Sequence, residues 1–148
     1  MKAGAISPDE AQRRVRESFA RQGFMKKLGV ELRRVEQGIC ELAVAFDETL
    51  TQQHGYIHGG VTTTIADNAA GYAAYTLMPE NSTVMTTEFK INLLAPAKGP
   101  ELIARAEVIK PGRKLMVIRA DVYNAGEGDE THVATMLASA ICLPDQDD

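Results

Sequence analysis

The sequence predicts an α+β fold in which a curved, antiparallel six-stranded sheet wraps around one long central helix. Three observations carry that expectation. A polar, glycine-interrupted loop beginning at Gln52 runs into a stretch of small and apolar residues that ends near Leu77, apolar nearly all round as a core helix is. Two segments before it and four after it alternate apolar and polar residues with a period of two, the signature of half-buried strands. The four later segments are divided by short turns: Pro96 to Pro100, Pro111-Gly112 and Asn124 to Asp129. Such separators favour antiparallel neighbours. A sheet of this kind cannot leave both faces wet, so the helix is expected to cover one of them.

The chain opens with Ser7-Pro8-Asp9-Glu10, a capping box with proline at the first helical position. A helix over about 8–21 follows, with a thin apolar face of Ala11, Val15 and Phe19 that places it on the domain surface. Gly23 is expected to stop it, and Phe24 to Leu28 to form one more turn, closed by Gly29 as a lid or rim. Val30 and Leu32 mark the first strand; Cys40, Leu42, Val44 and Phe46 mark the second, after a Gln37-Gly38 turn. The long helix should begin at Gly59 or Gly60. Ala66, Ala69, Ala70, Gly71, Ala73 and Ala74 make it narrow, which suits close approach by a curved sheet. The remaining strands are expected at Val84–Leu94, Leu102–Ile109, Leu115–Tyr123 and His132–Leu143, with a frayed acidic tail over 144–148.

A chain of 148 residues with no linker or repeat is expected to form one domain over 1–148. Its 16 Lys and Arg against 20 Asp and Glu, with 5% aromatic residues, argue against a nucleic-acid surface. No apolar run has the length of a signal peptide or membrane span, so a cytoplasmic protein with no membrane partner is expected. Cys40 and Cys142 both lie in alternating apolar patterns and read as buried thiols, not as a disulfide, metal site or nucleophile.

Asp67 is the residue that needs explaining. Burying an ionised carboxylate costs several kcal/mol, as a rough figure, unless it is paired or used. Asp67 therefore reads as a catalytic acid at the edge of a cleft, against the plainer reading of a solvated or hydrogen-bonded helix position.

His58-Gly59-Gly60 with Asp67 nine residues after the histidine resembles the hotdog-fold acyl-CoA thioesterases, the phenylacetate-pathway (PaaI-like) type within the 4-hydroxybenzoyl-CoA thioesterase superfamily. Gln52 falls where relatives carry an active-site Asn or Gln. Thr86 to Ala97 resembles the family's next strand, with Thr86 matching a Ser or Thr that positions water. Gly112-Arg113-Lys114 resembles a later family turn. The chain departs from the pattern at Gln52, where the closest relatives often carry Asn, and at Asn68, where many have Thr or Ser. The resemblance implies a hotdog fold and hydrolysis of an acyl-CoA to free acid and coenzyme A. No metal or organic cofactor is expected, coenzyme A being part of the substrate. Dimers pairing into tetramers are a further implication.

On that reading the Gly59 N–H at the helix start polarises the thioester carbonyl. Asp67 acts as general base or nucleophile, two roles the sequence leaves open. Gly59 and Asp67 lie eight positions apart, about 12 Å along one helix, too far to act on one carbonyl. Two antiparallel helices across a twofold axis would bring Gly59 of one copy to Asp67 of the other, so an obligate homodimer is expected. His58 either braces the loop or touches substrate. Gln52 and Thr86 are otherwise ordinary polar residues, and Arg113 and Lys114 either meet coenzyme A phosphates or form a solvated turn. Tyr72, Tyr75 and Met78 read as packing. His54 and His58 have helical metal spacing, but Gly55 and the loop context oppose it and no third ligand is evident. Two alternatives are a hotdog hydratase or dehydratase, disfavoured by Gly59-Gly60 after the histidine, and a non-catalytic acyl-CoA-binding domain.

Overall fold

The computed structural model describes residues 6–126, 128–146 and 148. Helix α1 spans Pro8–Arg21 and α2 Gly23–Leu28; strands β1 (Val30–Glu36) and β2 (Ile39–Ala45) follow. Helix α3 then covers Gly59–Tyr75, ahead of β3 (Ser82–Leu93), β4 (Glu101–Lys110), β5 (Leu115–Ala125) and β6 (Thr131–Pro144). The strands form one antiparallel sheet in the order β1-β2-β4-β5-β6-β3. The expected sheet wrapped about a helix is therefore present, and β3 has crossed to the edge opposite β1.

Helix α3 is the core. Ile65, Ala66, Ala69 and Ala73 are fully buried, against Leu42, Leu102, Ala104, Ile118 and Ala120 from the middle of the sheet. Alanines let the helix sit close to the concave face, and the aliphatic strand residues fill the space around it. The helix ends at Tyr75, two residues short of Leu77. Beyond it the Thr76 hydroxyl accepts from the Gly38 N–H at 2.7 Å and donates to the Ala73 carbonyl, which satisfies groups the last turn leaves open.

The N-terminal segment is more deeply engaged than its thin apolar face suggests. Ser7 Oγ accepts from the Glu10 N–H at 3.2 Å, but the Glu10 carboxylate pairs with Arg13 and does not reach back. Half of the expected capping box forms, because an i,i+3 arginine competes for the acid. Arg14 is buried. Its guanidinium lies 3.8 Å over the Tyr75 ring and donates to the carbonyls of Tyr75, Met78 and Pro79. A cation thus caps the carbonyl-rich end of α3. Gly23 does not merely stop α1 but opens α2, and Gly29 takes the left-handed conformation (φ 72°) that closes it.

Strand β3 pairs only with β6 among the described residues, leaving its outer edge free. Its register slips at Thr87, which opposes no residue of β6. This bulge keeps Thr86 and Phe89 on one face, because the extra residue restores the alternation that odd spacing would break. At the C-terminus the Asp145 N–H donates to Asn81, and the Asp148 carboxylate accepts from Arg21 and Thr83.

Candidate active site

The start of α3 is built by His58. Its backbone is extended (φ −59°, ψ 135°), and its ring Nδ1 accepts from the Gly60 N–H at 2.8 Å, so an imidazole serves as N-cap. That bond requires an unprotonated Nδ1. Two glycines follow because nothing larger fits without displacement. A β-carbon at Gly60 would lie 2.9 Å from His58 Nδ1, and one at Gly59 would lie 3.0 Å from a Leu93 methyl. The Gly59 N–H has no acceptor among the described residues. It is a free donor at the positive end of a 17-residue helix.

Gln52 organises the preceding loop. Its side-chain carbonyl accepts from the His54 N–H at 2.6 Å and the Tyr56 N–H at 3.4 Å. The loop is tied down further by His58 N–H to Leu50 and Ile57 N–H to Ala97. Gln52 and Gly59 line one cavity of about 380 Å³, closed by Tyr56, Leu93, Pro96 and Val133.

Asp67 faces a different cavity, of about 160 Å³, between α1, α3 and β3. The Thr86 hydroxyl donates to Asp67 Oδ1 at 2.8 Å. Thr86 is thus a direct partner of the carboxylate. Burial pushes the Asp67 carboxyl above the ordinary carboxylate range, and the Thr86 bond pulls it partly back. Ser18, Gln22, Asn68, Tyr72 and the C-terminal Asp148 form the rest of the polar wall. Gln22 accepts from Asn68 at 2.9 Å and donates to the Tyr72 hydroxyl at 2.6 Å, which also meets Ser18 at 3.0 Å. Asn68 thereby acquires a contact: it latches the α1–α2 junction to α3.

The structure brings Gly59 together with Gln52, and Asp67 together with Thr86, but it puts the two pairs in separate cavities. Arg113 and Lys114 line neither; they sit beside Pro79, Ile141, Cys142 and Pro144 at the β4–β5 turn. The sequence reading missed Ser18 and Gln22, and it treated Tyr72 as packing only. Its ring does pack, with centroids 6.1 Å from Phe19, yet its hydroxyl belongs to the cavity wall. The available signal was the spacing: Asn68 and Tyr72 are an i,i+4 pair on one face of α3, whereas Gln22 sits at the extended junction after α1, beyond the reach of helical periodicity.

Among the described residues no group of three or more His, Cys, Asp or Glu could hold a metal, and no helix is long and apolar enough to cross a membrane.

Similarity to known proteins follows the same lines. The pattern of the thioesterase superfamily matches residues 54–131. A thioesterase family protein of Silicibacter pomeroyi is 46% identical, with a TM-score of 0.88 over 90% of this chain and 98% of that one. The 1,4-dihydroxy-2-naphthoyl-CoA hydrolase of Listeria monocytogenes is 30% identical over 64% of this chain and 77% of its own length. The PaaI protein of the E. coli phenylacetic acid degradation operon, at 18% identity, shares the fold with a TM-score of 0.83 over 94% and 97% of the two chains. This chain belongs to the thioesterase superfamily and is a thioester hydrolase with the hotdog fold.

Proposed function

We propose that the protein hydrolyses acyl-CoA thioesters at two equivalent sites, each assembled from two copies of the chain. The observation that carries this reading is the separation of Gly59 and Asp67 into different cavities along one helix. A free N–H and a buried carboxylate that cannot meet within a chain can meet between chains. Two features of the surface support it. The exposed and part-exposed residues of α3, namely Gly59, Gly60, Thr63, Thr64, Asp67, Asn68 and Gly71, recur every three to four positions and form one stripe. Beside them, β3 offers a free edge with Phe89 and Leu93 44% and 60% exposed, a combination that invites a partner.

In this mechanism the Gly59 N–H receives the thioester carbonyl oxygen and holds the negative charge that develops on it. Asp67 of the other copy, ionised and aligned by Thr86, takes the proton of a water that adds to the carbonyl carbon, or adds itself as nucleophile. The carbon–sulfur bond then breaks, and on the general-base route the departing coenzyme A thiolate takes the proton that Asp67 removed from water. On the nucleophilic route the acyl group stays on Asp67 as a mixed anhydride, which a water hydrolyses to free the acid, restore the carboxylate and supply the thiolate's proton. Gln52 fixes the loop behind the carbonyl, and His58 fixes the N–H. No metal or further cofactor enters the scheme. The Listeria relative's name specifies a coenzyme A thioester, which supports coenzyme A as the leaving group here.

The test is a hydrolysis screen over short, medium, long and aromatic acyl-CoAs with wild type and Asp67→Asn. We expect turnover of at least one class, falling ~10²–10⁴-fold in the variant, the span typical of a lost general base. Turnover in Asp67→Asn within about threefold of wild type would falsify the assignment.

A further inference from the structure

Gly71 is placed where neither backbone geometry nor packing asks for glycine. It lies inside α3, where glycine costs helix stability relative to alanine, and its φ is not in the left-handed region. A β-carbon built on it would meet no atom within 4 Å. The expected role of Gly71 in close sheet packing is therefore not the one it plays. The contrast with its neighbours sharpens this: the fully enclosed positions Ala66, Ala69 and Ala73 carry a methyl, and the open position has none.

What Gly71 borders is the Asp67 cavity. It stands one turn after Asp67, about 6 Å further along the helix on the same face. The other walls, Ser18, Gln22, Val84, Thr86 and Asp148, come from α1, the α1–α2 junction, β3 and the C-terminal tail of the same chain, so the space lies within the protomer, beside the carboxylate. Resting on the reading of Asp67 as the catalytic acid, we infer that Gly71 keeps room for the acyl group of the thioester and sets how much bulk that group carries next to its carbonyl. A reacting carbonyl must approach Asp67 to about 3–3.5 Å. Substituents on the acyl carbons nearest it then pass the α3 surface at Gly71. Substrates with a ring or branch close to the carbonyl depend on the missing methyl; acetyl groups do not.

The experiment compares wild type, Gly71→Ala and Gly71→Leu on acetyl-, butanoyl-, hexanoyl- and benzoyl-CoA, with melting temperature and solution mass measured alongside. The readout is the ratio of kcat/KM for the bulkiest to the smallest acyl group that wild type accepts. We expect that ratio to fall about tenfold in Gly71→Ala, the discrimination one methyl group affords, and further in Gly71→Leu. The melting temperature of Gly71→Ala should equal or exceed that of wild type. An unchanged ratio, or an equal loss on all substrates, overturns the inference while leaving the Asp67 reading intact if Asp67→Asn is still inactive. A Gly71→Ala protein that melts lower and loses its oligomeric mass would assign the space to the partner chain instead. Wild type inert toward the whole panel overturns both readings.

Discussion

Thr86 Oγ1 on β3 donates a 2.8 Å hydrogen bond to Oδ1 of Asp67, the single carboxylate of α3. The bond favours the ionised acid, opposing the burial that favours the neutral one. Removing it in Thr86→Val leaves burial unopposed, so the Asp67 pKa rises. Because either catalytic role needs the ionised form, the acid limb of kcat/KM should move to higher pH, with the plateau lowered less than in Asp67→Asn. A pH–rate profile whose acid limb stays in place would contradict this role for Thr86.

Burial of Asp67 also predicts a pH-dependent stability. Its folded-state pKa lies above the unfolded value, so its stabilising contribution is complete below the unfolded pKa and is lost as pH rises through the folded one. At neutral pH the charged carboxylate is therefore a liability. Asp67→Asn keeps the acceptor for Thr86 without the charge and should melt higher than wild type near pH 7, with the gain shrinking toward roughly pH 4. Thermal melts across that range check the sign.

Sharing of sites between chains is tested by mixing two inactive variants. Gly59→Pro removes the N–H at a position where proline suits the first helical turn, and His58 already has the extended backbone a following proline needs; the added β-carbon crowds only a terminal methyl of Leu93, the flexible end of a side chain that can turn aside. A heterodimer of Gly59→Pro with Asp67→Asn restores one intact site. After unfolding and refolding together in equal amounts, the mixture should recover about a quarter of wild-type activity, half the dimers each carrying one of two sites. If both groups act within one chain, nothing is recovered.

Phe89 is 44% exposed on β3, beside the free sheet edge. A charge there tolerates solvent but not an apolar interface. Phe89→Glu should shift the mass in light scattering toward that of the monomer and lower turnover with it. A variant that keeps the wild-type mass would move the interface elsewhere.

Arg14 closes the C-terminal end of α3 from within α1. Arg14→Met retains the apolar stem and takes the charged donor away from the two buried carbonyls of Tyr75 and Met78, each such loss costing about 1–3 kcal/mol. We expect a loss of about 2–4 kcal/mol in denaturant unfolding, well above that of a surface arginine such as Arg16→Met.

Local patterning alone made much of this molecule legible. The alternation in Cys40, Leu42 and Val44 places a strand whose inward residues are buried. The glycine pair after His58 places the helix start at Gly59, and the lone acid in an apolar run singles out Asp67. Each follows from residues within a few positions of one another, where backbone sterics and side-chain period act directly. The helix arithmetic separating Gly59 from Asp67 was legible for the same reason, and in the fold the two border different cavities.

Other features required the chain to be folded up. Thr86 reaches Asp67 only because β3 crosses to the far edge of the sheet and keeps its register through the Thr87 bulge. Arg14, an unremarkable member of a charged helix in the sequence, is buried because that helix lies against the end of α3. Ser18 and Gln22 join the Asp67 cavity by the same docking. Gly71 looked like one more small residue for close packing, and only the empty space around its Cα shows otherwise. Sequence period determines which residues face inward; which inward faces meet is decided by strand order and helix docking, contacts between residues tens of positions apart that no local pattern encodes.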